Sequence, residues 1–215
     1  SICGVDTNIF YKIDKNHKTK LKEKFKLDKD SKVIVFLGRL NKDKGVFDLA
    51  KAFDEVKKNY KKKLYLLYVG FDEQNCIDKI KQQSDNFNDM VFYNYSGNPC
   101  EYLQIADIFC LPSYREGLSK VLIEAMSIGR MIITNDVPGC KDLVTNNYNG
   151  YICKLNSSQS LLSALEKVYN NDFKNIKIMG KNSYLKSNLY SKEKVNYEYI
   201  NLIKKFFYLN YEKTN

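Results

Sequence analysis

An α/β fold built on a doubly wound parallel sheet is the architecture this sequence predicts, and three observations predict it. Short apolar runs ended by glycine recur along the chain. Each is followed by a stretch whose apolar residues recur at three- and four-residue spacing, and the alternation continues through most of the 215 residues. Strands separated by helices in this way pair in parallel through right-handed crossovers, with helices covering both faces of the sheet.

The elements follow in order. "KVIVFLG" (Lys32 to Gly38) is a continuous apolar run, the mark of a strand buried on both faces, and "KGVFDLAKAFDEVKKNY" after it puts Val46, Leu49, Ala50 and Phe53 on one helical stripe. "KLYLLYVG" (Lys63 to Gly70) precedes a polar helical stretch, and "MVFYNY" (Met90 to Tyr95) precedes "PCEYLQIA" (Pro99 to Ala106). "DIFCLPS", "LSKVLIEAMSIG", "MIITND" and "GYIC" continue the pattern. From "SSQSLLSALEKVYNN" (Ser157 to Asn171) the chain reads as helical to its end, with Val195, Tyr199, Leu202 and Phe206 at helical spacing in the last segment. Ligands of such sheets bind beyond the carboxyl ends of the strands, so the loops at Gly38, Gly70, Asn94 and Ser113 should line one edge.

Composition narrows the class. Apolar residues make up 44% and aromatics 13%, which a disordered chain would lack. No apolar run approaches the roughly 18 residues a bilayer span needs, and the start carries no signal-like pattern. The opening "SICGVDTNIFYK" has no initiator methionine, so the expectation is a piece cut from a longer protein. Six cysteines form no CxxC pair and mostly sit in apolar runs, where a thiol acts as a small hydrophobe; neither disulfide nor zinc is expected. A reducing compartment fits, and the sequon at Asn156 to Ser158 then carries no meaning. The net charge of +10 either attracts phosphates or reflects solvated lysines, and most lysines alternate with acids in favour of the second reading. The exceptions cluster at Lys18 to Lys32 and Lys192 to Lys205.

The chemistry is carried by a few residues. No GxGxxG follows the first strand and no GxxxxGK[ST] occurs, which removes dehydrogenase and P-loop readings. After Gly38 comes "GRLNKDKG", where Arg39 as a planar fork and Lys44 as a point charge could neutralise a diphosphate. In "YREGLSKVLIEAM", Gly117 lets backbone approach a ligand just before a helix, and the amides of Leu118, Ser119 and Lys120 suit an anion. Glu116 and Glu124 flank this stretch. Each has a plain alternative, a loop carboxylate and a solvated helix position. At about 1.5 Å and about 100° per helical residue they stand on the order of 12 Å and roughly 80° apart, within reach of one long ligand. A carboxylate can accept two hydroxyl hydrogens, so Glu124 suits the cis-diol of a ribose and Glu116 the hydroxyls of a sugar. His17, the single histidine, lies in a lysine-rich lead and reads as a surface residue.

"FLGRLNKDKG", "ADIFCLPSYREGLSKVLIEAM", "DVPGCKDLV" and "NGYIC" resemble, in order, the motifs of the family 4 retaining (group 1) glycosyltransferases, and "CGVDTNIF" resembles the lead into their carboxyl-terminal domain. The resemblance implies the Rossmann-like, nucleotide-sugar-binding half of a GT-B enzyme. It implies a donor site of Gly38, Arg39, Lys44, Tyr95, Glu116, Gly117, Leu118, Ser119, Lys120 and Glu124, in which Arg39, Lys44 and Glu116 carry the chemistry. Tyr95 would meet the base. Asn94 departs from a common glycine, Ser119 and Lys120 from small and apolar residues, and Asp142 from a frequent glutamate.

The implied organisation is an interdomain lead (1–10), the donor-binding domain (11–190) and a crossing helix with its tail (191–215). The helix, about Lys192 to Leu209, would return to an absent amino-terminal domain and occupy Phe206 and Phe207; packing on this domain is their alternative. The expected activity is transfer of a hexose or acetamidohexose, with retention, from a nucleoside diphosphate such as UDP to a glycan or lipid-linked saccharide. No metal and no other cofactor is expected. No nucleic-acid partner is expected, and the chain alone should turn over little. The protein should be cytoplasmic, and a lipid-linked acceptor and basic surfaces would allow peripheral contact with the inner face of a membrane. The rival from another class is a non-catalytic basic α/β module binding nucleic acid or anionic membrane.

Overall fold

A computed structural model of the chain describes residues 4–60, 63–94, 98–170 and 174–214, with side chains through 205. Helices are α1 (Lys15–Lys24), α2 (Val46–Asn59), α3 (Cys76–Gln83), α4 (Pro99–Ile105), α5 (Lys120–Ser127), α6 (Ser158–Asn170), α7 (Lys174–Ser187) and α8 (Lys192–Thr214). Strands are β1 (Lys32–Leu37), β2 (Leu64–Val69), β3 (Met90–Tyr93), β4 (Ile108–Leu111), β5 (Met131–Asn135) and β6 (Gly150–Cys153). They form one parallel sheet in the order β3-β2-β1-β4-β5-β6. The order reverses between β1 and β4, where Ile34 pairs with Ile108 and Val35 with Phe109. Chain direction splits there, leaving a crevice at the carboxyl ends of the two strands.

Burial follows the apolar runs. Val33 to Phe36 and Ile108 to Cys110 are fully buried, because helices cover both faces. Helix α2 turns Val46, Leu49, Ala50 and Phe53 inward and packs on α6, while α5 packs on α7. Cys76, Cys100, Cys110, Cys140 and Cys153 are buried free thiols. Among the described residues no helix is long and apolar enough to cross a membrane.

The amino-terminal edge of the sheet holds a buried ionic cluster. Asp107, just ahead of β4, accepts from Lys18 Nζ at 2.8 Å and from the amide of Val33 at 3.0 Å. Lys18 also donates to the carbonyl of Ala106, and Lys22 to those of Ser31 and Lys29. Arg130, ahead of β5, donates to the carbonyls of Ala106 and Ile128. Burial pushes the Asp107 carboxyl up, but the charges of Lys18 and Lys32 more than offset it and hold it below the usual range. Burial takes Lys18 down to about 8.

This corrects one expectation, because Lys18 and Lys22 are framework residues and not part of a basic surface. Three boundaries also move. Strand β3 ends at Tyr93, with Asn94 beyond it; α5 starts only at Lys120; and α8 runs to Thr214. The described side chains of α8 are largely exposed, Tyr197 at 68% and Leu202 at 66%; those of Phe206 and Phe207 lie outside the described residues. His17 is on the surface, where its amide and ring bind Asp14, the N-cap of α1.

Candidate active site

Two loops meet at the reversal of strand order, residues 38–45 after β1 and 112–119 after β4. Gly45 has φ of 70°, and a Cβ there would stand 2.2 Å from the carbonyl oxygen of Pro112, so only glycine permits this approach. The Tyr114 amide donates to the carbonyl of Asp43 at 2.7 Å, and its hydroxyl to Asp48 Oδ2 at 2.5 Å, tying the second loop to the start of α2. A third loop, after β5, backs onto them: Gly139, with φ of 77°, would clash through a Cβ with the carbonyl of Gly117. Asp142 accepts the Gly139 amide at 3.3 Å.

Within this frame, Asn41 caps a single 3₁₀ turn by accepting the Lys44 amide at 3.1 Å. The turn carries the Lys44 side chain to Glu116, whose Oε1 accepts from Nζ at 2.5 Å and from the Ser113 hydroxyl at 2.9 Å. The other oxygen of Glu116 takes no hydrogen bond from the described residues. Arg39 does not join this pair. Its Nη1 donates to Glu73 Oε1 at 2.7 Å, and Glu73 Oε2 accepts from Asn41 Nδ2 at 2.6 Å. Those bonds, Asn41's foremost, hold the Glu73 carboxyl below its ordinary range.

The loop continues into α5. The side of Gly117 where a Cβ would sit is open, with no atom within 4 Å, and Leu118 is exposed. Ser119 caps α5 from an extended backbone, with no hydrogen bond from its side chain to the helix. The amides of Leu118, Ser119 and Lys120 donate to no described residue; Leu118 and Lys120 are exposed and Ser119 is buried.

Glu124 lies one turn into α5 and is 7% exposed. Its one described polar partner is Lys120, whose Nζ stands 3.7 Å away on a side chain 65% exposed. Burial raises the carboxyl pKa, and Lys120 offsets this only in part. A buried carboxylate with so loose a partner is costly unless something else donates to it.

The residues singled out in the sequence therefore fall into three groups. Lys44 and Glu116 touch, with Gly38, Gly117, Leu118 and Ser119 in the same two loops and Lys120 as the first residue of α5. Glu124 lies further along α5. Arg39 is turned to the loop after β2. Because residues 116–119 are not helical, the separation expected from a continuous helix does not apply. Tyr95 lies outside the described residues. Glu73 was missed, although "GFDEQN" follows a glycine-ended strand and puts a carboxylate at the same edge. No group of three or more metal-ligating side chains occurs among the described residues.

The model of the family described as glycosyl transferases group 1 matches residues 17–186. An uncharacterized glycosyltransferase of Methanocaldococcus jannaschii is 31% identical over 190 residues, covering 85% of this chain and 46% of that protein. The capsular polysaccharide biosynthesis glycosyltransferase CapM of Staphylococcus aureus is 32% identical over 168 residues, covering 75% of this chain and 42% of the relative. The chain thus spans less than half the length of these relatives. Among solved structures, Anabaena HepE in complex with UDP superposes with a TM-score of 0.84 at 20% identity, over 94% of this chain and 56% of that one, a likeness of fold. The match across most of the chain and the order of its motifs show that it belongs to the group 1 glycosyl transferases.

Proposed function

We propose that this chain is the donor-binding part of a retaining glycosyltransferase that moves a hexose or acetamidohexose from UDP to a glycan or lipid-linked saccharide. The observation that carries the reading is Glu124, a buried carboxylate whose described partner is a distant lysine. A ribose cis-diol supplies the two donors it lacks. The free oxygen of Glu116 and the open space beside Gly117 suit the hydroxyls of the sugar, and the open amides before α5 suit the diphosphate between them. That HepE is solved with UDP supports the choice of nucleotide.

In this reading catalysis is electrostatic. As the glycosidic bond breaks, charge grows on the leaving diphosphate. Lys44, Arg39 and the amides of Leu118 to Lys120 stabilise that charge more in the transition state than in the ground state. Glu116 holds the sugar in line and shares Lys44 with the phosphate. Acceptor attack comes from the face the diphosphate leaves, which retains configuration, and no metal takes part. The acceptor is held by a domain beyond this chain, so residues 1–215 alone bind donor weakly and transfer little.

Calorimetric titration of the chain with UDP and UDP-sugars tests the proposal. Glu124→Ala should weaken UDP binding roughly ten- to a hundredfold, the loss of charge-assisted hydrogen bonds worth about 1.5–3 kcal/mol. A folded Glu124→Ala variant with unchanged affinity would refute the ribose assignment. Binding that disappears with moderate salt and ignores the nucleotide would favour a merely basic module instead.

A further inference from the structure

We propose that Glu73 is a positioning residue of the diphosphate subsite: its two carboxylate oxygens aim Arg39 and fix the turn that delivers Lys44. The inference rests on the donor-site reading above and extends it to a residue in a different loop. Arg39 leaves β1 with its side chain 65% exposed, and a long side chain so placed samples many rotamers when nothing holds it. Glu73 Oε1 holds it through Nη1 at 2.7 Å. The grip uses one arm of the guanidinium and leaves its other N–H groups available for a phosphate.

The second oxygen acts on the other cation. Glu73 Oε2 accepts from Asn41 Nδ2 at 2.6 Å, and the same Asn41, 8% exposed, caps the Lys44 amide through Oδ1. Arg39 and the turn bearing Lys44 are therefore both referred to one carboxylate. Glu73 is itself fixed from below. Its amide donates to the carbonyl of Leu40 at 3.2 Å, the Leu40 amide to that of Phe71 at 2.8 Å, and the Lys42 amide to Gln74 Oε1 at 3.0 Å. These bonds join the loop after β1 to the loop after β2, which carries Glu73. Neither bond of Glu73 covers Lys44 Nζ or the amides before α5, so the carboxylate orients the cations without filling their site.

Calorimetry with two probes, UDP and uridine, tests this on wild type, Glu73→Ala, Glu73→Gln, Arg39→Ala and the double variant Arg39→Ala/Glu73→Ala. Uridine lacks the diphosphate and reports general damage to the site. Glu73→Ala should weaken UDP about tenfold while uridine stays within about twofold, and most of that loss should vanish when Arg39 is already alanine. Glu73→Gln, which still accepts one of the two bonds, should recover part of the affinity. Unchanged or tighter UDP binding by Glu73→Ala, with Arg39→Ala still impaired, would make Glu73 a bystander or competitor and leave the donor site standing. Equal loss of uridine and UDP in Glu73→Ala would reduce it to a structural residue. A wild-type chain that binds neither probe would remove the donor site, and the proposal with it.

Discussion

Two lysine–carboxylate pairs stand at opposite edges of the same sheet, and by exposure they cannot be told apart: in both Lys18–Asp107 and Lys44–Glu116 the side chains are 19% and 14% exposed. Their surroundings differ. At the amino edge Lys18 also holds the carbonyl of Ala106 and Asp107 also holds the amide of Val33, so the hydrogen bonds join strand ends to α1. At the carboxyl edge Lys44 Nζ has Glu116 as its described hydrogen-bond partner, and among the described residues nothing donates to the second oxygen of Glu116 or accepts from the neighbouring amides of Leu118, Ser119 and Lys120. Burial of an ion pair therefore does not mark function. What distinguishes the second pair is the bonding capacity it leaves for something else.

Removing one partner from each pair should break the symmetry. Asp107→Asn leaves Lys18 buried without its charge partner and should cost about 3–5 kcal/mol. In a domain of this size that lowers Tm by on the order of 10 °C, measurable by thermal melting. The folded pKa of Asp107 is depressed, so its contribution is present above the ordinary carboxylate range and is lost as pH falls through the folded value. The variant should lose that part of its acid sensitivity. Lys44→Ala should shift the balance towards binding: Glu116 keeps the Ser113 hydroxyl, so Tm should fall by less than in Asp107→Asn, while UDP affinity drops roughly tenfold.

Glu124 sharpens the contrast, because it places stability and binding in opposition. Burial raises its folded pKa above the unfolded one, so the folded state holds the proton longer and stability falls as pH rises between the two values. At neutral pH the ionised carboxylate is a net cost. Glu124→Gln should raise Tm by roughly 2–4 °C, about what 1 kcal/mol gives at this length, while weakening UDP binding roughly tenfold. A variant that lost both stability and affinity would make Glu124 a structural residue.

These two edges were unequally legible in the sequence. The sheet was readable because strands buried on both faces must be continuous apolar runs, and "KVIVFLG" and "KLYLLYVG" cannot be much else. The carboxyl edge was readable in part, since glycines and charges after those runs have few reasons to be there. Helix α1 was not, because it docks through the ammonium groups of Lys18 and Lys22 and carries no apolar stripe for periodicity to detect. Glu73 escaped for a related reason. Its role depends on register across the sheet, where Leu37 stands beside Val69 and carries Arg39 alongside the next loop, and register is not written in local spacing. The start of α5 was misjudged because Leu118, Val121, Leu122 and Ala125 keep helical spacing from Leu118 onward, whereas Gly117 and Leu118 form a bend and Ser119 caps the helix from an extended backbone, so that it begins only at Lys120.

The smallest expected effect tests whether the site's frame, and not only its charges, matters. Tyr114 joins the loop after β4 to α2 through its hydroxyl on Asp48, and burial first, then that bond, push its pKa to about 12. Its folded pKa lies above the unfolded one, so the bond's contribution is complete below about pH 10 and is lost as pH rises through about 12. Tyr114→Phe keeps the ring and should cost about 0.5–1.5 kcal/mol, with Asp48 exposed enough to regain water. The same variant should flatten the alkaline limb of a stability profile measured by urea unfolding at stepped pH. UDP affinity should fall by no more than about threefold, since the Tyr114 amide still holds Asp43 and Gly45 still packs on Pro112. A tenfold loss would mean that the hydroxyl alone keeps Lys44 and Glu116 in register, and that the carboxyl-edge pair is held as tightly by its frame as the pair at the other edge.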